Sequence, residues 1–170
     1  FRPTASLGRT LYLPLGQTHA ERQSIYASLG ELMVTTGQYE AAQEHLTYSL
    51  ALAQESNDRE GQARVYRWLA HLFELRGDYQ LALDWVQRGT AVLSRRDTII
   101  AAELALVAGM IYTRQGEYEE ALSQCEIALD SARQRNELAT LARAYNLLGH
   151  IARLRGQTST AIEHFQRAYE

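Results

Sequence analysis

The sequence predicts an all-α protein, a solenoid of about four antiparallel helix pairs, and three observations carry that reading. A short segment opening on glycine recurs at Gly37, Gly77, Gly116 and Gly156, at intervals of 40, 39 and 40 residues. Apolar residues on both sides of each glycine fall at helical spacing instead of alternating as in a strand. After Pro14 there is no further proline, which suits uninterrupted helices and argues against a turn-rich β fold.

The repeated segments read Gly37-Gln-Tyr-Glu-Ala-Ala42, Gly77-Asp-Tyr-Gln-Leu-Ala82, Gly116-Glu-Tyr-Glu-Glu-Ala121 and Gly156-Gln-Thr-Ser-Thr-Ala161. A first helix precedes each glycine, marked by the residues eleven, eight, seven and four positions back. These are Tyr26, Leu29, Gly30 and Met33; Tyr66, Leu69, Ala70 and Phe73; Ala105, Ala108, Gly109 and Tyr112; and Tyr145, Leu148, Gly149 and Ala152. Such offsets put the four side chains on one stripe of a helix. A second helix follows, with its stripe at two, five, nine and twelve positions past the glycine. It reads Tyr39, Ala42, Leu46, Ser49; Tyr79, Ala82, Val86, Gly89; Tyr118, Ala121, Cys125, Ala128; and Thr158, Ala161, Phe165, Ala168.

Small residues set the approach of the two helices. A glycine inside a helix costs up to about 1 kcal/mol relative to alanine, so Gly30, Gly109 and Gly149 imply a partner helix lying very close. Ala42, Ala121 and Ala161 are the matching small residues across the turn. The turn glycine supplies a left-handed cap, and the aromatic two residues later wedges between the helices.

The chain has 170 residues, is 46% hydrophobic and 22% charged, and carries a net charge of −3. That composition excludes a disordered chain and offers no basic footprint for nucleic acid. The most apolar stretch, Ile99 to Tyr112, contains Glu103 and is too short to span a bilayer, so no membrane partner is expected. Cys125 stands alone, which rules out an intrachain disulfide and favours the cytoplasm. The five histidines show no paired ligand spacing, and there is no phosphate loop or Ser/His/Asp constellation. No metal, cofactor or catalytic residue is therefore expected, and the paired Glu119 and Glu120 read as solvated charge.

The recurring large residue, Leu-Gly or Ala-Gly pair, aromatic and Gly-x-Tyr turn resemble the tetratricopeptide repeat (TPR) family over roughly residues 22–170. The common period of that family is about 34 residues, so these repeats are long, and the proline that often ends the second helix is missing. Second helices are accordingly expected to run one turn further, through Leu50 to Glu55, Ala91 to Arg95 and Leu129 to Gln134. Polar connectors are expected at 56–60, 96–98 and 135–137. The repeats divide as about 22–60, 61–99, 100–139 and a truncated 140–170, after a lead-in segment 1–21 that ends a preceding element. Long repeats of this kind are similar to those of kinesin light chains and of bacterial signalling regulators, including STAND-class ATPases.

The resemblance implies a right-handed superhelix whose first helices line a concave groove. Groove-facing places would be thirteen, ten, six and three residues before each turn glycine. They hold Ser24, Ala27, Glu31, Val34; Arg64, Arg67, His71, Glu74; Glu103, Leu106, Met110, Thr113; and Arg143, Asn146, His150, Arg153. From these, Arg64, Arg67, His71, Met110, Arg143, Asn146, His150 and Arg153 are the expected partner-binding set. An acidic peptide or helix would suit it, with Arg67 and Arg143 pairing with carboxylates and Met110 adapting to an apolar side chain. Asn146 matches the asparagine with which peptide-binding long repeats hold a peptide backbone. Ala27, Arg67 and Leu106 replace it elsewhere, which speaks against a clamp of several asparagines. Cys125 is expected to be a buried, inert thiol, and Trp68 and Trp85 packing residues, with an interface anchor the alternative for Trp68.

Function is thus expected to be non-catalytic: a protein-interaction module, with a structural or regulatory spacer arm as the alternative. The last repeat stops inside its second helix, which predicts either a continuing array or end-to-end stacking of copies.

Overall fold

The computed structural model describes residues 18–94 and 98–169. It holds eight helices: α1 (His19–Thr35), α2 (Tyr39–Glu55), α3 (Arg59–Leu75), α4 (Tyr79–Val92), α5 (Ile99–Gln115), α6 (Tyr118–Gln134), α7 (Leu138–Leu154) and α8 (Thr158–Arg167). Among the described residues there is no strand. Most of the lead-in segment and the connector residues 95–97 lie outside them. Residues 19–21 already belong to α1, whose N-terminus is held by a capping box between Thr18 and Glu21.

Each pair closes over its glycine. Gly77 and Gly116 take φ of +80° and +81°, a region glycine enters without steric penalty. The Asp78 and Glu117 amides then donate back to the carbonyls of Phe73 and Tyr112 at 3.0 and 2.9 Å, satisfying carbonyls the helix end would otherwise leave open. The turns between pairs use a different residue. Asn57 and Asn136, at the ends of α2 and α6, both have φ of +53°. Asparagine tolerates this conformation better than other side chains. Asp58 then caps α3 by accepting from the Gly61 amide at 3.0 Å, and Gln23 on α1 donates to its other oxygen at 2.8 Å. Burial pushes the Asp58 carboxyl upward, but these hydrogen bonds outweigh it and hold the group below its ordinary value.

Glycine and alanine meet across the pairs as their sizes require. A Cβ added to Gly30 would sit 2.5 Å from Leu46 Cγ and 3.4 Å from the Ala42 carbonyl oxygen. One added to Gly109 would lie 3.5 Å from the Ala121 carbonyl oxygen, and one added to Gly149 would strike the Phe165 ring at 2.6 Å. Leu46, Leu69, Leu72, Leu104 and Ile111 are fully buried.

Helix α4 is shorter than expected. It has 14 residues where α2 and α6 have 17, and Leu93 leaves the helix in an extended conformation. The cause is packing: Val92 and Leu93 turn onto a small apolar cluster formed by Ala63 of α3 with Ile100 and Leu104 of α5.

Successive odd-numbered helices pack on one another, α1 on α3, α3 on α5 and α5 on α7. No two even-numbered helices come within 8 Å of each other between Cα atoms. A stack whose one layer is in contact and whose other layer is splayed must curve, with the contacting layer inside. The odd helices therefore form the concave face.

Candidate functional site: the concave face

The eight residues expected to bind a partner divide into two groups. Arg67 (8% exposed) is buried, with its Nε 3.2 Å from Glu103 Oε2 and its guanidinium 4.1 Å from the centre of the Trp68 ring. The N–H is not aligned for a hydrogen bond, so the pairing is one of charge. Glu103 turns its second oxygen to Arg143 Nη1, also at 3.2 Å. One carboxylate of α5 thus bridges an arginine of α3 to an arginine of α7. Burial, together with the nearby Arg143, lowers the Arg67 pKa against the opposing pull of Glu103, but a guanidinium remains charged throughout the physiological range.

A second bridge lies deeper along the same face. The Glu74 side chain is fully buried and meets Arg114 of α5, while His71 Nδ1 lies 3.2 Å from its Oε2. Burial raises the Glu74 pKa, and the adjacent His71 ring and the Arg114 charge more than reverse it, leaving the carboxyl below its usual value. Arg67 and His71 are therefore committed to contacts within the chain. Arg64 is exposed and pairs loosely with Glu60 one helical turn away, at 3.7 Å, a contact of little energetic weight.

Met110, Arg143, Asn146 and His150 come together. With Leu106 and Leu147 they line a cleft of about 200 Å³ between α5 and α7. Leu106, Met110 and Leu147 make its floor; Arg143, Asn146 and His150 stand exposed at its rim, and Arg153 lies exposed on the same helix. The cleft offers an apolar seat, an amide able to donate and accept, and an exposed guanidinium, that of Arg143, which shares its charge with Glu103.

Trp68 is buried, which removes the reading of it as an exposed anchor. Trp85 is half-buried and stacks on Tyr66, with ring centres 5.7 Å apart. Cys125 is fully buried and its pKa is pushed up to about 12, chiefly by that burial and secondarily by Glu126. A thiol so placed is a packing group, not a nucleophile. Among the described residues no group of three His, Cys, Asp or Glu could hold a metal ion, and no helix is long and apolar enough to cross a membrane.

A family model described as tetratricopeptide repeat matches residues 21–95 and 101–170. No curated protein matches the chain. Among solved structures it is similar to MamA, with a TM-score of 0.60 and 22% identity over 86% of this chain and 76% of that one. It is also similar to BtubC (BKLC) from P. vanneervenii, with a TM-score of 0.72 and 20% identity over 93% of this chain; it spans 65% of that protein. At such identities the likeness is one of fold.

Proposed function

We propose, given that this chain belongs to the tetratricopeptide repeat family, that it is a non-catalytic module holding an acidic peptide or helix of a partner protein on its concave face. The cleft between α5 and α7 carries the reading. Leu106, Met110 and Leu147 take one apolar side chain, Asn146 bonds the adjoining peptide backbone, and Arg143 with Arg153 faces the partner's carboxylates. Arg67, through Glu103, braces Arg143 at the rim of this site. A setting within a larger cytoplasmic bacterial signalling protein fits such a module.

A second reading has its own support. The bridges from Arg67 through Glu103 to Arg143, and from Glu74 to Arg114, tie consecutive inner helices together. They would stiffen a spacer arm whether or not a peptide binds. Selection of a random peptide library on immobilised 1–170, followed by fluorescence anisotropy of the enriched peptides, separates the two. The binding module predicts acidic peptides with an apolar residue. It also predicts that Asn146→Ala weakens them about fivefold, the weight of one hydrogen bond, and that Met110→Glu weakens them further. No enriched peptide, or peptides indifferent to both substitutions, leaves the spacer reading.

End-to-end stacking of a further helix pair or a second copy is supported by Ile162 on α8, 53% exposed, and by Tyr169 just past its end, 95% exposed. Sedimentation velocity over a concentration series should show mass rising with concentration, and Ile162→Lys should suppress the rise. A single species at every concentration argues against stacking of copies.

A further inference from the structure

The third repeat lacks a pair of side chains that the other three share. Eleven and eight residues before the turn glycine stand Tyr26 and Leu29, Tyr66 and Leu69, and Tyr145 and Leu148, but Ala105 and Ala108 in the third. The tyrosine does two things elsewhere. Its ring stacks on a ring of the same repeat's second helix: Tyr26 on His45 at 5.5 Å, Tyr66 on Trp85 at 5.7 Å, Tyr145 on His164 at 6.2 Å. Its hydroxyl also accepts from the second helix of the preceding repeat, from Gln54 at 3.4 Å for Tyr66 and from Arg133 at 3.0 Å for Tyr145. In the third repeat both parts of the stack are gone, because Gln124 stands where the others carry His45, Trp85 and His164.

The space is left open. A cleft of about 640 Å³ lies between α4 and α6 with α5 as its floor, on the side away from the concave face. Interiors of this size filled by ligands are typical small-molecule sites, which run from about 300 to 1,000 Å³. Leu83, Val86, Ala105, Ala108, Tyr112 and Ile127 give it apolar walls. Gln87, Thr90 and Gln124 add neutral polar groups, and Asp84 is the one charged residue among those lining it.

We propose that this outer cleft is a binding site for a small aromatic amine. The flat ring occupies the place of the missing tyrosine and its stacking partner, against Ala105 and Ala108. The cationic end meets the Asp84 carboxylate, whose contact with Gln80 Nε2, at 3.4 Å, is weak enough to exchange. The carboxylate and the lack of any lining cation select against aromatic acids.

The test uses tryptamine as the probe, titrated into ¹⁵N-labelled 1–170, with indole-3-acetate and cyclohexylamine as the anionic and non-aromatic counterparts. Saturable shifts at Val86, Thr90, Ala105 and Ala108 are expected with tryptamine and not with the other two. Asp84→Asn should weaken tryptamine about fivefold while leaving indole unaffected, the scale of a partly exposed ion pair. Ala105→Tyr with Ala108→Leu gives the third repeat the residues of its neighbours. It should abolish the shifts while keeping helicity and an equal or higher Tm. Absence of saturable shifts at millimolar tryptamine would overturn the proposal, as would shifts that persist in the filled variant. Binding of a tryptophan-bearing helical peptide without binding of tryptamine would also overturn it, in favour of a docking surface for protein. The concave cleft takes no part in this, so failure of one site leaves the other standing.

Discussion

Glu103→Ala should lower stability to urea by about 3 kcal/mol, the cost of removing one partner from a buried ion pair. The substitution takes away the carboxylate paired with Arg67, whose side chain is 10% exposed. Arg67 keeps its charge and lies over the Trp68 ring, so the loss is the desolvation of a cation stripped of its nearest partner. Arg143→Ala removes the other arm of the same bridge and should cost less than about 1 kcal/mol, because that side chain is 45% exposed and its charge is already screened. Circular dichroism against urea distinguishes the two. The double substitution Arg67→Met with Glu103→Leu should recover most of the loss, since an apolar pair of similar size has no charge to desolvate. Equal, small effects from Glu103→Ala and Arg143→Ala would show that Arg67 is hydrated and the bridge superficial.

Gly30→Val should cost about 3 kcal/mol, at the upper end for overpacking a core. On an exposed helix face, replacing glycine would stabilise, by up to about 1 kcal/mol for alanine. Here the first added carbon would stand 2.5 Å from Leu46 Cγ, and Leu46 is fully buried. The cost is therefore one of shape, and a double-mutant cycle checks it. Shortening the opposing side chain with Leu46→Ala should make Gly30→Val far less harmful than it is in the wild-type background. Full additivity of the two changes would mean that α1 and α2 simply move apart.

The pairing of helices was legible because each of its determinants is local. Gly77 and Gly116 mark turns, and Gly30 and Ala42 mark a close crossing, through properties of single residues at fixed spacing. Four of the expected concave residues also share one cleft, because Met110 and the run Arg143, Asn146, His150 follow from helical periodicity on adjacent inner helices. The commitment of Arg67 was not legible. Glu103 was recognisable as a residue of the same face, but whether it meets Arg67 depends on how far α5 slides along α3, which a one-dimensional pattern does not contain. The αL asparagines Asn57 and Asn136 were readable in principle, since both stand twenty residues past a turn glycine. The outer cleft was hidden by a coarser habit. Ala105 and Ala108 fit an apolar stripe as well as Tyr and Leu do, and the stripe records character, not volume.

The same two alanines bear on the mechanics of the array. Between the first and second repeats, and again between the third and fourth, a tyrosine hydroxyl fastens one pair to the last and an αL asparagine sets the angle of the connection. Between the second and third, Ala105 offers no hydroxyl and the helix that should lean on it, α4, ends early. A rod of uniform segments bends evenly along its length. Here the tie between the second and third repeats lies on the concave side, in the Arg67–Glu103 and Glu74–Arg114 pairs, so play at that junction is taken up on the outer side, between α4 and α6.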